Sequence, residues 1–308
     1  MGEMRKAYGR ALIELGEENK NIVVLDADLS SSTKTSMFCS AYPERFFNAG
    51  IAEQNMMGMA AGLAASGKTV FVSSFAVFGT GRAYEITRNL VCGNNLNVKL
   101  VCTHAGVSVG EDGATHQAIE DIAIMRAIPN MRVWVAADAA EAYEMVRMAA
   151  KTEGPCYIRL TRSGSDDVYT EKANFEFRRS HILRQGSDIS VFACGIMVSR
   201  ALQAAEELKK EGIDAEVINL SQIKPMDEKA VLNSVKKTNC ALACEEHSVI
   251  GGMGGALAEI ISRGNPVKID FLGIEDQFGT SGKANELLEH FHLTAAEIAA
   301  RVREILKK

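Results

Sequence analysis

The chain has 308 residues, 47% of them hydrophobic and 24% charged, and its formal net charge is −5. This balance is typical of a globular protein and excludes a disordered one, and the length suits about two domains. The negative charge, without a Lys/Arg cluster interleaved with aromatic residues, argues against a nucleic-acid partner. No apolar run approaches the roughly 20 residues that span a bilayer, so we expect no membrane partner.

The cysteines and the first residues indicate a compartment. The seven cysteines are an odd number, they form no C-x-x-C pair, and several lie in apolar runs, where cysteine behaves as a small hydrophobe. The N-terminal stretch is amphipathic and lacks the apolar core of a signal peptide. We therefore expect a reduced, cytoplasmic protein.

Extended and helical patterns alternate along the chain, first in one series and then in a second. Apolar strands separated by helices imply parallel sheets covered on both faces, that is, an α/β fold with two doubly wound domains. We expect the domains at 1–165 and 188–308, joined by a linker at 166–187 with a short hairpin in the polar segment 163–186. The predicted strands are 22–25, 69–74, 98–102, 133–135, 156–160, 189–194, 215–220, 241–245 and 268–272. The predicted helices include 5–18, 81–90, 117–126 and 138–151.

Glu53 follows a short extended run that ends in Ala49-Gly50, and it lies in or next to the first turn of a helix rich in small residues. A carboxylate there can simply complement the positive end of the helix dipole. It can also be a ligand-binding group, because α/β proteins place ligands at strand-to-helix junctions. The residues of this stretch leave both interpretations open.

A glycine-rich loop at 106–117 follows the strand at 98–102 and contains Asp112 and His116, with His104 at its entrance. It could be a solvated turn. It could also lie over a ligand crevice, where imidazoles move protons near neutral pH. The two histidines lack the short spacing of zinc motifs, so we predict no metal site in this chain.

Three further segments follow predicted strands. The loop 26–33 lacks the glycine of a calcium loop, and its hydroxyls and backbone N–H groups suit an anion instead. Phe75 and Phe78 are either core residues or a surface for stacking a flat heterocycle. The glycines of 251–255 do not have the spacing of a dinucleotide motif, and they predict a helix entry with tight packing.

Four fragments together resemble the C-terminal half of transketolase, a thiamine-diphosphate enzyme: G-I-A-E-Q-N at 50–55, S-F-A-V-F at 74–78, T-H-x(5)-G-E-D-G-A-T-H-Q at 103–117 and L-T-R at 160–162. The resemblance implies a pyrimidine-binding domain followed by a C-terminal domain. Such enzymes hold the diphosphate and its metal through a G-D-G…N motif that this sequence lacks. The resemblance therefore implies one subunit of a split transketolase.

The resemblance also implies a reaction and partners. A two-carbon ketol unit would pass from a ketose phosphate to an aldose phosphate, as in the pentose phosphate pathway. An N-terminal partner subunit would carry the diphosphate and a magnesium or calcium ion, in an α2β2 complex, and this chain alone would form a homodimer.

Matching positions imply roles for individual residues. Glu53 would bind N1′ of the aminopyrimidine, Phe75 and Phe78 would enclose that ring, and Asp28 would lie near the cofactor and the dimer interface. The remaining matches concern the sugar substrates. His104 and His116 match residues that bind donor hydroxyls and move protons, Asp112 matches a contact to an acceptor hydroxyl, and Arg5, Ser32 and Arg162 match sugar-phosphate contacts.

The chain departs from the family at Gly81, where a tyrosine often completes the pyrimidine pocket, and Tyr84 is a candidate replacement. Two related enzymes remain alternatives: the β subunit of a 2-oxo acid dehydrogenase, for which we would expect an H-S-Q-type loop at residues 115–117, and deoxyxylulose-phosphate synthase, normally one long chain. A non-catalytic structural or regulatory subunit is the alternative from another class.

Overall fold

The computed structural model describes residues 2–169 and 179–307, which form two β-sheets flanked by helices. The elements up to residue 159 are α1 (Met4–Glu18), β1 (Ile22–Asp26), α2 (Ser30–Thr33), α3 (Ser36–Ala41), a 3-10 turn (Pro43–Arg45), β2 (Phe46–Asn48), α4 (Glu53–Ala65), β3 (Thr69–Phe75), α5 (Ala76–Gly81), α6 (Tyr84–Ile86), a π-helix (Thr87–Cys92), β4 (Val98–Thr103), a 3-10 turn (Val107–Val109), α7 (Asp121–Ala127), β5 (Arg132–Val135), α8 (Ala139–Ala150) and β6 (Cys156–Arg159).

The elements after residue 179 build the second sheet and its helices, apart from one strand, β10, that joins the first sheet. They are β7 (His181–Arg184), β8 (Ile189–Ala193), α9 (Met197–Lys210), β9 (Ala215–Asn219), β10 (Gln222–Lys224), α10 (Glu228–Thr238), β11 (Cys240–Ser248), α11 (Met253–Gly264), β12 (Lys268–Ile274), α12 (Ala284–His290) and α13 (Ala295–Leu306).

Both sheets are parallel except at one edge. The first has the strand order β10-β5-β6-β4-β3-β1-β2, with β10 antiparallel to β5, and the second has the order β12-β11-β8-β9-β7, with β7 antiparallel to β9. The predicted pair of doubly wound α/β sheets is thus confirmed. The structure adds that β10, from the second half of the chain, extends the first sheet.

Some element boundaries differ from the prediction. The helix predicted at 81–90 begins already at Ala76, directly after β3, and continues as separate short segments to Cys92. The helix predicted at 117–126 begins at Asp121, because Gln117 belongs to the preceding loop. The hairpin predicted within 163–186 falls partly on 170–178, outside the described residues, and His181–Arg184 pairs with β9 instead.

The strand register brings one edge of the first sheet together. Asp26 at the end of β1 pairs with Ser73 of β3, and Phe75 at the end of β3 pairs with Thr103 at the end of β4. Parallel strands end on the same side, so the segments that follow β1, β3 and β4 converge there. Burial of these strands and of α1 fixes that edge, since Tyr8 of α1 is fully buried and bonds Ser73 Oγ at 2.7 Å.

All seven cysteines are free thiols. Within residues 2–169 and 179–307, no helix combines the length and apolar character needed to cross a membrane.

Candidate active site

Glu53 is the first residue of α4, and the chain reaches it through a tight turn. Gly50 has a φ of +73°, a conformation that favours glycine, and its carbonyl accepts a hydrogen bond from Ala52 N–H at 2.7 Å. Glu53 is only 3% exposed, and its Oε1 lies 3.4 Å from Arg82 Nη1. A carboxylate this buried normally has several strong partners. Glu53 is therefore a candidate for binding a ligand group.

Arg82 is a site residue that the sequence analysis missed. Its guanidinium carbon lies 4.5 Å from the ring centroid of Phe78, and its side chain is 55% exposed. Tyr84 packs against a hydrophobic core cluster, and a Cβ at Gly81 would meet no atom within 4 Å. Arg82, rather than a tyrosine, thus covers this aromatic face. Its position four residues after Phe78, one helical turn away, was the available signal.

Two phenylalanines and two histidines form one cluster at the ends of β3 and β4. The rings of Phe75 and His104 stack with centroids 3.7 Å apart, and those of Phe75 and Phe78 are 6.1 Å apart. His116 meets Phe78 edge-on at 5.2 Å. His104 has a φ of +60°, which turns its backbone sharply after β4. The structure therefore brings together four of the predicted site residues from three separate segments.

The environment of His104 keeps its imidazole neutral. Burial, together with the positive charges of Arg5 and Arg162, lowers the pKa of His104 to about 3. Its Nδ1 lies 2.7 Å from Thr103 Oγ1. At neutral pH the ring is thus a hydrogen-bond partner for a hydroxyl group and not a cation.

Arg5 and Arg162 line a cavity of about 370 Å³ between the two domains, and Gly282 from the second domain lines it as well. Arg162 donates to the carbonyl of Val109 at 2.6 Å, and its Nη1 lies 3.5 Å from Asp112 Oδ2. The Nε of Arg5 is buried without a hydrogen-bond partner among the described residues. Two guanidinium groups with donors to spare suit a phosphate.

Ser32 and Asp28 are placed differently from the other predicted residues. Ser32 meets Arg5 through its backbone carbonyl, which accepts from Arg5 Nη1 at 3.0 Å, and not through its hydroxyl. Asp28 has a φ of +64°, and its carboxylate accepts a hydrogen bond from Asn48 Nδ2 at 2.9 Å. Asp28 is thus held at the junction of β1 and β2.

The expectation that hydroxyls of the loop after β1 bind an anion is wrong for Thr33. Asp26 is completely buried, and its carboxylate accepts from the hydroxyls of Thr33 at 2.7 Å and Thr35 at 2.8 Å and from Leu29 N–H at 2.6 Å. Burial raises the pKa of Asp26, and these hydrogen bonds oppose that effect. The polar groups of this loop stabilise a buried carboxyl group of the protein itself.

Gln117 is the last residue of the 103–117 motif, and the sequence did not predict its role. Its Nε2 donates to the carbonyl of Val107 at 3.1 Å and to that of Thr280, in the C-terminal half of the chain, at 2.9 Å. A backbone bridge between Ala105 and Ala118 closes the loop at its base. Gln117 thus fixes the loop that carries Asp112 and His116.

The geometry fits the pyrimidine end of thiamine diphosphate. A buried carboxylate with one long ion pair can hydrogen-bond a ring nitrogen, and the Phe75–Phe78 pair, which Arg82 links to Glu53, supplies aromatic surface for the ring. Across the described ranges, no three His, Cys, Asp or Glu side chains are grouped to hold a metal ion.

Comparison with family models identifies both domains. Residues 2–165 match the model described as transketolase, pyrimidine binding domain, and residues 179–298 match transketolase, C-terminal domain. The chain belongs to the transketolase family. This family uses thiamine diphosphate and a divalent metal, which agrees with a buried Glu53 carboxylate linked through Arg82 to the Phe75–Phe78 pair.

Relatives of similar length span the whole chain. A Methanocaldococcus jannaschii protein, provisionally named as a transketolase C-terminal section, is 52% identical over 308 residues, which cover 99% of this chain and 96% of the relative. The 6-deoxy-6-sulfo-D-fructose transketolase subunit SqwH of Clostridium sp. is 40% identical, covering 99% of this chain and 95% of that subunit.

Solved structures align with this chain over either almost the whole of the other chain or about half of it. One described as a split gene transketolase in an inactive β4 tetramer aligns with a TM-score of 0.93 and 51% identity, covering 100% of this chain and 99% of that one. A Pichia stipitis transketolase in complex with sedoheptulose-7-phosphate aligns with a TM-score of 0.82 and 27% identity. There the alignment covers 99% of this chain but 46% of the other.

Proposed function

We propose that this chain is the C-terminal subunit of a split transketolase, which transfers a two-carbon ketol unit from a ketose phosphate to an aldose phosphate. The observation that carries the proposal is the buried carboxylate of Glu53, which pairs at 3.4 Å with Arg82, while Arg82 lies over the ring of Phe78 in the Phe75–Phe78 pair. The near-complete overlap with relatives named as a subunit or a section, and the 46% coverage of a single-chain enzyme, support it.

Each residue has a defined task in this proposal. Thiamine diphosphate, when bound, supplies the electron sink for carbon–carbon bond cleavage. Glu53 holds a proton at N1′ of the pyrimidine, and Phe75 and Phe78 orient the ring and exclude water from it. A ring nitrogen that shares a proton with a buried carboxyl group has altered basicity, which is how the protein influences the cofactor.

The sugar would lie beyond the pyrimidine pocket, toward the interdomain cavity. His104, neutral and buried, binds a donor hydroxyl, and His116 at the rim of the cluster exchanges protons with the substrate. Arg5 and Arg162 bind the phosphate, and Asp112 contacts an acceptor hydroxyl. Ser32 supports Arg5 through its carbonyl and keeps its proposed role as a sugar-phosphate contact, and Asp28 keeps the role of a carboxylate near the cofactor.

The finer assignments form part of the same proposal. The diphosphate and a magnesium or calcium ion would be held by an N-terminal partner, in an α2β2 complex, while this chain alone would form a homodimer in the cytoplasm. The domain boundaries are those expected above, 1–165, 166–187 and 188–308.

The sugars and the pathway are a separate question. One relative is named as an apulose-4-phosphate transketolase subunit and another as a 6-deoxy-6-sulfo-D-fructose transketolase subunit. The pentose phosphate pathway is therefore proposed as the first context to test, with these two donors as comparison substrates.

Reconstitution tests the proposal. The chain is mixed with an N-terminal transketolase subunit, thiamine diphosphate and Mg²⁺, and product is measured from a ketose phosphate and an aldose phosphate, without pyruvate. We expect transfer only when both subunits are present, and we expect a mass that corresponds to α2β2. Pyruvate consumption without ketol transfer would favour the oxo acid dehydrogenase alternative and contradict the proposal.

A further inference from the structure

We propose that Glu246, in β11 of the second sheet, is a positioning residue for the loop 104–117, which carries His104, Asp112 and His116. The inference rests on the proposed function, in which that loop handles the sugar substrate. It assigns the C-terminal domain a part in the reaction, exerted through one carboxylate.

The direct contact is a buried hydrogen bond between the two domains. Ser108 N–H donates to Glu246 Oε1 at 2.6 Å, across 138 residues of sequence. Both residues are almost completely buried. A bond from a backbone N–H to a carboxylate is charge-assisted and is stronger than a bond between neutral groups. Ser108 lies in the short 3-10 turn at the centre of the loop.

The fit of the backbone around this carboxylate is close. Gly106 has a φ of +80°, and a Cβ placed there would lie 2.2 Å from Glu246 Cδ. Such a separation is far below van der Waals contact, so only glycine allows the loop to approach the carboxylate in this way. Gly106, the first glycine of the loop 106–117, therefore has a packing explanation in addition to its turn geometry.

The backbone of Glu246 is held by Arg159, which also forms an ion pair with Asp121. Arg159 Nη2 donates to the backbone carbonyl of Glu246 at 2.9 Å, while Arg159 Nε donates to Asp121 Oδ2 at 2.8 Å. Burial raises the pKa of Glu246, and the charge of Arg159 opposes that effect. Because Arg159 ends β6 and Glu246 belongs to β11, this network ties the loop to both sheets.

The Glu246 contact affects the candidate site through the backbone that follows Ser108. The residue after Ser108 is Val109, whose carbonyl accepts from Arg162, and Arg162 in turn lies 3.5 Å from Asp112. Loss of the Glu246 contact would release the turn to which Arg162 is bonded. Within the described part of the chain, Glu246 Oε2 and Ser108 Oγ are buried and have no hydrogen-bond partner. The bond from Ser108 N–H to Glu246 therefore acts together with Gln117, which joins Val107 to Thr280, in holding the turn against the second domain.

The test compares three variants. Glu246→Ala removes the acceptor, Glu246→Gln keeps an oxygen for Ser108 N–H, and Glu216→Ala is the matched control. Glu216 is also buried in the second sheet, but its carboxylate bonds Ser234 and Lys237, which belong to α10 and not to the loop. Glu216→Ala thus perturbs the same domain without touching residues 104–117.

Hydrogen exchange of the isolated chain gives the first readout, since it needs no partner or activity. We expect Glu246→Ala to speed exchange in peptides covering 105–113 by roughly tenfold or more, because the buried acceptor of Ser108 N–H is lost. Peptides from β8 should exchange as in the wild type. Glu246→Gln and Glu216→Ala should keep the wild-type rate in 105–113. An unchanged loop in Glu246→Ala would overturn the proposal.

Kinetics of the reconstituted complex give the second readout. We expect Glu246→Ala to lower kcat/KM by roughly 10- to 100-fold, and Glu246→Gln to recover to within about threefold of wild type. Glu216→Ala should stay close to wild type. Equal losses in Glu246→Ala and Glu216→Ala, or no recovery in Glu246→Gln, would contradict a positioning role and indicate general destabilisation.

A fourth variant covers the case in which Glu246→Ala does not fold. If Glu246→Ala does not fold, Glu246→Asp retains the charge but withdraws it from Ser108, and it should also speed exchange in the loop. Unchanged exchange in Glu246→Asp would then overturn the proposal. If the wild-type complex transfers no ketol unit, the proposed function fails, while the exchange data still decide the Glu246 contact.

Discussion

The carboxyl-terminal ends of the two sheets both carry ionisable residues, but they use them in opposite ways. At the first sheet, Glu53 is buried with one long ion pair, and Arg5 keeps a buried Nε without a partner among the described residues. At the second sheet, Glu245 accepts from Met253 N–H at 2.7 Å and Gly254 N–H at 2.8 Å. The incompletely paired groups of the first sheet thus leave bonding capacity for a ligand, while the Glu245 carboxylate of the second sheet is used to cap α11.

The glycine stretch 251–255 illustrates the structural use. A Cβ at Gly252 would lie 2.3 Å from Glu245 Oε2, and one at Gly254 would lie 2.6 Å from Phe271. The predicted helix entry with tight packing is thus confirmed, since α11 begins at Met253. A helix N-terminus often binds a phosphate, but here a carboxylate of the protein occupies that position.

The largest effect is expected at Glu53. Glu53→Gln should lower ketol transfer by the reconstituted complex roughly 1,000-fold, because proton exchange with the pyrimidine is lost while the shape of the side chain is kept. Steady-state kinetics at saturating cofactor measure this, with the thermal unfolding midpoint as a check on folding.

The matched control is Glu85→Gln. Glu85 is exposed, and its carboxylate bonds Asn89 at the surface, so its substitution should leave turnover unchanged. An unchanged rate in Glu53→Gln would favour the non-catalytic subunit and remove the distinction between the two sheets.

Glu141 sharpens the comparison, because it is buried and fully bonded yet titrates near neutrality. It accepts from Ala137 N–H at 2.7 Å and from Asn219 Nδ2 at 3.0 Å, and burial raises its pKa from 4.5 to about 7. The folded protein favours the protonated form of Glu141. The stability that this adds is fully present below pH 4.5 and is lost as the pH rises through 7.

The expected loss from Glu141 between pH 4.5 and pH 8 is about 3 kcal/mol of unfolding free energy. Glu141→Gln should remove this share of the pH dependence, since an amide does not ionise. Urea unfolding of both proteins at pH 5 and pH 8 measures it. An identical difference between the two pH values in wild type and variant would show that Glu141 does not titrate in this range.

Glu245→Ala tests the structural use of a buried carboxylate. Loss of two bonds to the start of α11 should lower the unfolding free energy by about 2–3 kcal/mol. Denaturant unfolding gives that value, and hydrogen exchange should locate the loosening in α11. A variant as stable as wild type would mean that the caps at Met253 and Gly254 contribute little.

The smallest effect is expected for Arg162→Lys. The lysine keeps the charge but loses the planar guanidinium group, which can bond the Val109 carbonyl and a phosphate at the same time. KM for a phosphorylated donor should therefore rise about tenfold, with kcat nearly unchanged. An unphosphorylated ketose serves as the control substrate. An equal rise in KM for both sugars would show that Arg162 does not bind the phosphate.

The sequence predicted most of the fold because long apolar strands alternate with helices. It missed β10, since a three-residue strand has no periodicity and Gln222 pairs with Trp134 only after folding. Boundaries failed where a loop and a helix share a motif, as at Gln117.

The sequence motifs predicted those candidate-site residues that lie within them. They located Glu53, Phe75 and the histidines, whose convergence follows from parallel strands that end on one side. They did not give the partners of these residues. Arg82 was overlooked because its contact with Glu53 crosses 29 residues, and the hydroxyl of Thr33 was assigned to an anion because the burial of Asp26 is a tertiary property.

The central claim is that this chain supplies the pyrimidine end of a cofactor site completed by another subunit. Calorimetric titration of thiamine diphosphate with Mg²⁺ into the isolated chain and into the reconstituted complex tests it directly. We predict tight binding by the complex and binding at least about 100-fold weaker by the isolated chain, which would lack the charged contacts to the diphosphate. Equal affinities in the two titrations would contradict the claim.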